Sequence, residues 1–327
     1  MGKLDVMDSS ASVSGNALLN ELRPTFDQLL NRHLGASKEW FPHEMVPWSR
    51  GRDYVAGEPW DPDEYPLPDP VRRALLLNLL TEDNLPYYFS TITRVFSDDA
   101  FDVWTRRWTA EEMRHATVIR DWLMITRAID AVELERGRMA QVSTGQTPQP
   151  ASVPDAVVYL CLQELATRIA HRNTGKLLDD PIGYDVMARV AADENLHYLF
   201  YRDLGTATLA IDPSAMVLAI ERQVRDFEMP GTGIPGFATH AAVIAKAGIY
   251  DLGLHHDQIL VPVVMRHWKL TELEGLSPEA EQARDRLVSF IGRMGSIARR
   301  LDAKRARERA AAAEVPAAPA PALATRS

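Results

Sequence analysis

WTAEEMRHA (residues 108–116) and AADENLHYL (residues 191–199) each hold a glutamate and a histidine three positions apart, Glu112 with His115 and Glu194 with His197. On a helix that spacing puts both side chains on one face. Of the nine histidines only these two follow a glutamate at that distance, which is barely more than chance allows. A second regularity gives the pairs weight. Glu82, in LLLNLLTEDNLPYYF, stands thirty residues before Glu112, and Glu164, in VVYLCLQELAT, stands thirty before Glu194. The pattern of a glutamate, thirty residues and Glu-x-x-His therefore occurs twice, and thirty residues is about one long helix and a turn.

The same periodicity runs through VRRALLLNLL, MARVAADENLHYLFYRDL and AMVLAIERQVRDF, while alternating strand-like runs are scarce. The expected fold is all-α, a helical bundle with additional helices. Three segments read as irregular: residues 41–70, rich in Pro, Gly and Trp and expected to wrap the domain; residues 141–154, a loop between helices; and the Ala/Pro-rich end from about Glu314. One domain is expected over residues 15–305, with a flexible segment 1–14 before it and a disordered tail 306–327 after it.

Composition narrows the class. The chain of 327 residues is 46% hydrophobic, enough for a sizeable core. Its one cysteine, Cys161, lies in an apolar run and reads as a buried core residue; no internal disulfide is possible, and a reducing, cytoplasmic setting is expected. No apolar stretch reaches the length of a membrane span, and MGKLDVMDSS lacks the regions of a signal peptide. A net charge of −9 argues against general nucleic-acid binding. The stretch Arg284 to Arg309 runs the other way, with nine basic residues against three acidic, and reads either as a solvated helix face or as a dock for an acidic partner.

Helical numbering gives the repeated glutamates an apolar setting. Glu82 would share a face with Leu75, Leu79, Leu85 and Phe89, interrupted only by Asn78, and Glu164 with Val157, Leu160 and Cys161. A buried, unpaired carboxylate costs several kcal/mol, so these groups need a proton, a basic partner such as Arg114 or Arg168, or a metal. Four inward carboxylates and two imidazoles from four helices match the ligand set of a dinuclear carboxylate site in a bundle. Oxygen-rich ligation with one nitrogen per ion suits iron or manganese rather than structural zinc.

TEDNLPYY, WTAEEMRHA, QELATRIAHRNTG and ADENLHYLFYRD resemble, in order and spacing, the motifs of the soluble ferritin-like acyl-acyl-carrier-protein desaturases, particularly the actinobacterial branch. The similarity runs from about Leu18 to Arg300 and includes FEMPGTGIP and RHWKL. The resemblance implies a ferritin-like, homodimeric enzyme that holds two iron ions and uses O2 and electrons from a ferredoxin-type donor. Its implied reaction places a cis double bond in an acyl chain carried on acyl carrier protein, a step of fatty acid biosynthesis. Its iron ligands fall on Glu82, Glu112, His115, Glu164, Glu194 and His197.

The resemblance also implies a hydroxyl beside the oxygen site at Thr167, a tryptophan near the metal at Trp108, and an electron route through Trp40, Asp193 and His115. Against these stand plain packing for the tryptophans and, for Thr167, a hydroxyl bonded back to its own helix. Asp193 and Glu111 are candidates to hold the ring N–H of the opposite histidine. Met113 and Leu196 depart from the plant pattern, which carries an arginine at the latter position, and the connection from Glu82 to Glu112 is shorter. Rival readings are a hydroxylase or iron-storage protein on the same scaffold, or a non-catalytic acyl-carrier-binding bundle.

Overall fold

The computed structural model describes residues 9–313, and the expectations for residues 1–8 and 314–327 lie outside them. Twelve α-helices follow in order: α1 (Ser9–Ala36), α2 (Pro42–Met45), α3 (Asp69–Glu82), α4 (Leu85–Val95), α5 (Asp99–Thr126), α6 (Ala131–Thr144), α7 (Val153–Lys176), α8 (Pro181–Ile211), α9 (Pro213–Arg225), α10 (Phe237–Lys246), α11 (Leu252–His255) and α12 (Pro278–Ala313). A π-helical run, His256–His267, continues α11 and contains Pro262. No strand occurs among the described residues. α1 begins at Ser9, inside the segment expected to be flexible, and α12 runs past residue 305 to Ala313.

Side chains at the helix starts explain several boundaries. Asp98, Asp130, Ser152 and Asp180 each accept a backbone N–H of the first turn of α5, α6, α7 and α8, satisfying donors that have no partner within the helix. Asp212 alone separates α8 from α9 and caps the latter. Residues 41–70 hold little regular structure and lie across the ends of α5 and α8. Trp60 Nε1 donates to the Arg127 carbonyl at 2.8 Å, Tyr54 Oη to the Met124 carbonyl at 2.7 Å, and Tyr65 Oη to Asp180 at 2.7 Å.

One expectation needs correcting. Glu82 does not share a continuous helix with Leu85 and Phe89, because α3 ends at Glu82 and α4 restarts at Leu85 after a turn at Asp83–Asn84. Pro86 is the physical reason: it lacks an N–H to donate to the carbonyl of Glu82, and its ring would clash with it. Leu85 is nonetheless buried beside the glutamate.

α7 sits at the centre, buried on nearly every side from Val153 to Gly175. It packs along α8 and against α3, α5 pairs with both α3 and α8, α1 lies across α5 and α8, and α9 and α12 pack beyond. Two of the three apolar clusters among the described residues flank the middle of the bundle. One holds Trp104, Trp108, Leu160, Phe200 and Leu204, and the other Leu75, Leu79, Ile119, Trp122, Val186 and Val190. Along α5 the order is Trp104 and Trp108, then Glu111, Glu112 and His115, then Ile119 and Trp122; α8 runs the opposite way, Val190, then Asp193, Glu194 and His197, then Phe200. A polar layer is thus sealed between two apolar ones.

The close approach of α8 to α5 depends on Gly183, whose added Cβ would lie 2.7 Å from Cζ2 of the Trp122 ring. A fully buried indole has nowhere to go. Gly183→Ala is expected to cost about 1–3 kcal/mol by overpacking, read as a lower midpoint in thermal or urea denaturation; an unchanged midpoint would show that α5 and α8 separate freely.

Candidate metal centre

α3, α5, α7 and α8 each bring ligand-type side chains into the polar layer, and all six expected residues meet there. Glu82, Glu112, His115 and Glu194 form one group whose donor atoms lie within 4.8 Å of one another, and Glu112, Glu164, Glu194 and His197 form a second. Glu112 and Glu194 belong to both groups. Each group has its own histidine and its own further glutamate, the composition of two adjacent sites bridged by two carboxylates.

The donor atoms crowd against one another. His115 Nδ1 lies 3.1 Å from Glu112, 3.6 Å from Glu194 and 3.8 Å from Glu82. His197 Nδ1 lies 2.9 Å from Glu112 and 3.7 Å from Glu164, yet neither it nor Glu164 Oε2 has a hydrogen-bond partner. Orphaned buried polar atoms are costly unless another partner serves them. No Lys or Arg among the described residues forms an ion pair with the four glutamates: Arg114 reaches Asp193 at 3.4 Å and Glu111 at 3.9 Å, and Arg168 is exposed. The donor set therefore fits a pair of metal ions with oxygen-rich ligation.

Protonation follows the same crowding. Burial, then the charges of Glu112 and Glu194, push Glu82 well above the ordinary carboxylate range, and burial with Glu194 does the same to Glu164. Burial also acts upward on Glu112, but His115 and His197 outweigh it and hold that carboxylate low. The two histidines are raised: burial opposes their charge, and Glu112 for His115, or Glu111 with Glu112 for His197, more than offsets it.

The supporting residues fall as follows. Asp193 Oδ2 is 3.5 Å from His115 Nε2 and accepts Trp40 Nε1 at 2.8 Å, with the Arg114 guanidinium 4.8 Å over the Trp40 ring. Glu111 Oε2 is 2.9 Å from His197 Nε2. Trp108 Nε1 donates to Glu164 Oε1 at 3.1 Å. The Thr167 hydroxyl lies 3.0 Å from Glu194 Oε2 and also within reach of its own helix, 3.0 Å from the Glu164 carbonyl.

Two histidines escaped the sequence reading. His171 Nε2 is 3.0 Å from Glu82 Oε1, and burial pushes its pKa down to about 4. Its signal was present: seven residues after Glu164, it shares a face of α7 with that glutamate and Thr167. His33, on α1, places Nε2 2.9 Å from Glu111 Oε2, and nothing local in the sequence announces a contact with a residue 78 positions away.

Four helices enclosing a buried layer of carboxylates and imidazoles make a ferritin-like bundle whose core cluster is compatible with a metal site. The sequence profile described as fatty acid desaturase matches residues 15–317, and the chain belongs to that family. It is 42% identical over 293 residues to a Mycobacterium tuberculosis protein named as the acyl-[acyl-carrier-protein] desaturase DesA1, covering 86% of each chain. It is 30% identical over 255 residues to the chloroplastic stearoyl-[acyl-carrier-protein] 9-desaturase 6 of Arabidopsis thaliana, covering 72% of this chain and 65% of that one. The X-ray structure of Mycobacterium tuberculosis DesA2 superposes with a TM-score of 0.65 at 27% identity, over 82% of this chain and 99% of that one. No helix among the described residues is long and apolar enough to cross a membrane.

Metal binding must displace the protons that Glu82, Glu164, His115 and His197 retain, so affinity should rise with pH and loading should release protons. Calorimetric titration of the metal-free protein with ferrous iron in anaerobic buffers between pH 6 and 8 checks this. Two equivalents per chain, binding more tightly at the higher pH, are expected; an affinity independent of pH would contradict the assignment.

Proposed function

We propose that the protein is a di-iron acyl-acyl-carrier-protein desaturase, with Glu82, Glu112, His115, Glu164, Glu194 and His197 as the iron ligands. Supporting this reading is a row of three cavities past the carboxylates. The first, about 80 Å³, is lined by Thr81, Thr167, His171, Met229, Phe237 and Tyr250. The second, about 10 Å³, lies against Glu82, Glu112, Glu194 and Trp108 and shares Thr81 and Thr167 with the first. The third, about 10 Å³, shares Tyr88 with the second and is walled by Ile92, Val95, Ala156 and Leu160. A flexible apolar chain threaded along this row would pass the carboxylates at one methylene pair, with its methyl end among the aliphatic side chains. Tyr88, Thr81 and Thr167 would have to shift to admit it.

Iron in the centre would supply the O2 chemistry that removes hydrogen from an unactivated methylene. The chain's own residues orient and exclude. Trp108 holds Glu164, Thr167 holds a hydroxyl at Glu194, and the two apolar clusters keep bulk water from the layer. Trp40 donates to Asp193, whose Oδ2 lies 3.5 Å from His115 Nε2, a line of contacts toward the centre that suits electron delivery by a ferredoxin-type donor. On α12, Arg286 and Arg305 are tied to Glu221 and Asp251, leaving Arg293, Arg299, Arg300 and Arg307 exposed for an acidic acyl carrier protein. Exposed Met113 and Val142 line an open hollow of about 610 Å³ between α4, α5 and α6 that offers a face for a second copy of the chain.

The reading is tested by loading the protein with ferrous iron, then adding O2, a reduced ferredoxin and acyl carrier protein bearing saturated chains of graded length, with products read by mass spectrometry. Loss of two hydrogens from at least one chain length is expected. Addition of an oxygen atom would indicate a hydroxylase, and no change at any length with two irons bound would overturn the proposal.

A further inference from the structure

Both candidate metal histidines are backed by a carboxylate that sits one residue before a ligand of the opposite helix. Asp193, before Glu194 on α8, backs His115; Glu111, before Glu112 on α5, backs His197. Each carboxylate is in turn held by a ring from the N-terminal part of the chain. Trp40 serves Asp193, and His33, seven residues earlier in the last turn of α1, serves Glu111. The resemblance accounts for Trp40 but gives His33 no role.

The geometry around His33 is specific. Its ring is 4% exposed and meets Trp104 edge-on at 4.9 Å, and Trp104 stacks on Phe200 at 3.7 Å, so the ring has little room to turn. Glu111 Oε2 takes Nε2 of His33 and Nε2 of His197, both at 2.9 Å, while Oε1 takes Arg107 at 2.6 Å. With Arg107 paired to its other oxygen, the Glu111 carboxylate can only accept, so both rings donate to Oε2 through Nε2. That leaves His197 Nδ1 facing Glu112 and Glu164. Without His33, Glu111 keeps His197, Arg107 at 2.6 Å and Arg114 at 3.9 Å, and Arg107, 40% exposed, would draw the carboxylate toward solvent.

We propose that His33 is a positioning residue for the metal centre, fixing the tautomer and angle of His197 through Glu111 as Trp40 does for His115 through Asp193. His33 in the last turn of α1 and Trp40, four residues past its end, thus staple the two halves of the site from one side. Leu196, beside His197 in sequence, stands where the plant pattern has an arginine and brings no charge there. His33, Arg107 and Arg114 come to Glu111 from α1 and α5 instead.

The inference rests on the metal-site reading, and one experiment separates the two. Metal-free protein is titrated with cobalt(II) under argon, following the ligand-field absorption of each equivalent, for the unaltered chain, His33→Leu, His33→Gln and Trp40→Phe, with circular dichroism and thermal midpoints recorded for each. The unaltered chain should take two equivalents. In His33→Leu one equivalent should bind about 10–100-fold more weakly with an altered absorption band, as removal of such a supporting contact does elsewhere, and the other should be unchanged. Gln, whose Nε2 can replace the lost donor, should restore affinity and band. Trp40→Phe should weaken the equivalent that His33→Leu spares. If Leu at 33 fails to fold, His33→Met serves in its place.

Equal weakening of both equivalents, no weakening, or a Gln variant as weak as Leu would overturn the role of His33. Fewer than two equivalents on the unaltered chain would overturn the metal-site reading and this inference together.

Discussion

Burying four carboxylates and two imidazoles in one layer is the constraint on which the rest of the structure depends. Glu82, Glu112, Glu164 and Glu194 are each 6% exposed or less, and no Lys or Arg among the described residues pairs with them. Like charges this close in a medium of low dielectric repel strongly, and protons relieve only part of the repulsion. A layer of this composition is stable as a resting place for positive charge, and the flanking architecture exists to hold it open for that charge. Trp104, Trp108 and Phe200 on one side and Trp122, Ile119 and Val190 on the other fix the four helices so that the ligands cannot swing out to water.

Support for the layer is graded by distance. Glu111 and Asp193 face the outer nitrogens of the two histidines, and arginines pair with both carboxylates, Arg107 with Glu111 and Arg114 and Arg189 with Asp193. The arginines therefore do serve buried acids, but the acids one position away from the ligands. This displacement separates the centre from an ordinary buried ion-pair network, in which Arg or Lys would meet the inner glutamates directly.

The sequence carried much of this. Heptad-like apolar spacing announced long helices, and the duplicated spacing of Glu82 to Glu112 and of Glu164 to Glu194 announced four inward faces, because helical geometry converts spacing into direction. What it hid depended on geometry between helices. The break after Glu82 follows from Pro86, a local signal outweighed in the reading by the apolar pattern on either side. His171 was legible as the i+7 neighbour of Glu164, had the face been followed one turn further. His33 was not legible, since its role is set by how α1 lies across α5 and α8, and neither helix encodes that crossing in its own periodicity. The exposure of Met113, an apolar residue inside a ligand motif, likewise became visible only when α5 acquired an outer face.

The central claim is that two metal ions share Glu112 and Glu194. Anomalous diffraction at the iron edge from crystals loaded anaerobically with ferrous iron tests it most directly. The account predicts two peaks per chain, both touching Glu112 and Glu194, one with His115 and Glu82 and the other with His197 and Glu164. A single peak, or a metal held by His33 and Glu111 outside the layer, would contradict it.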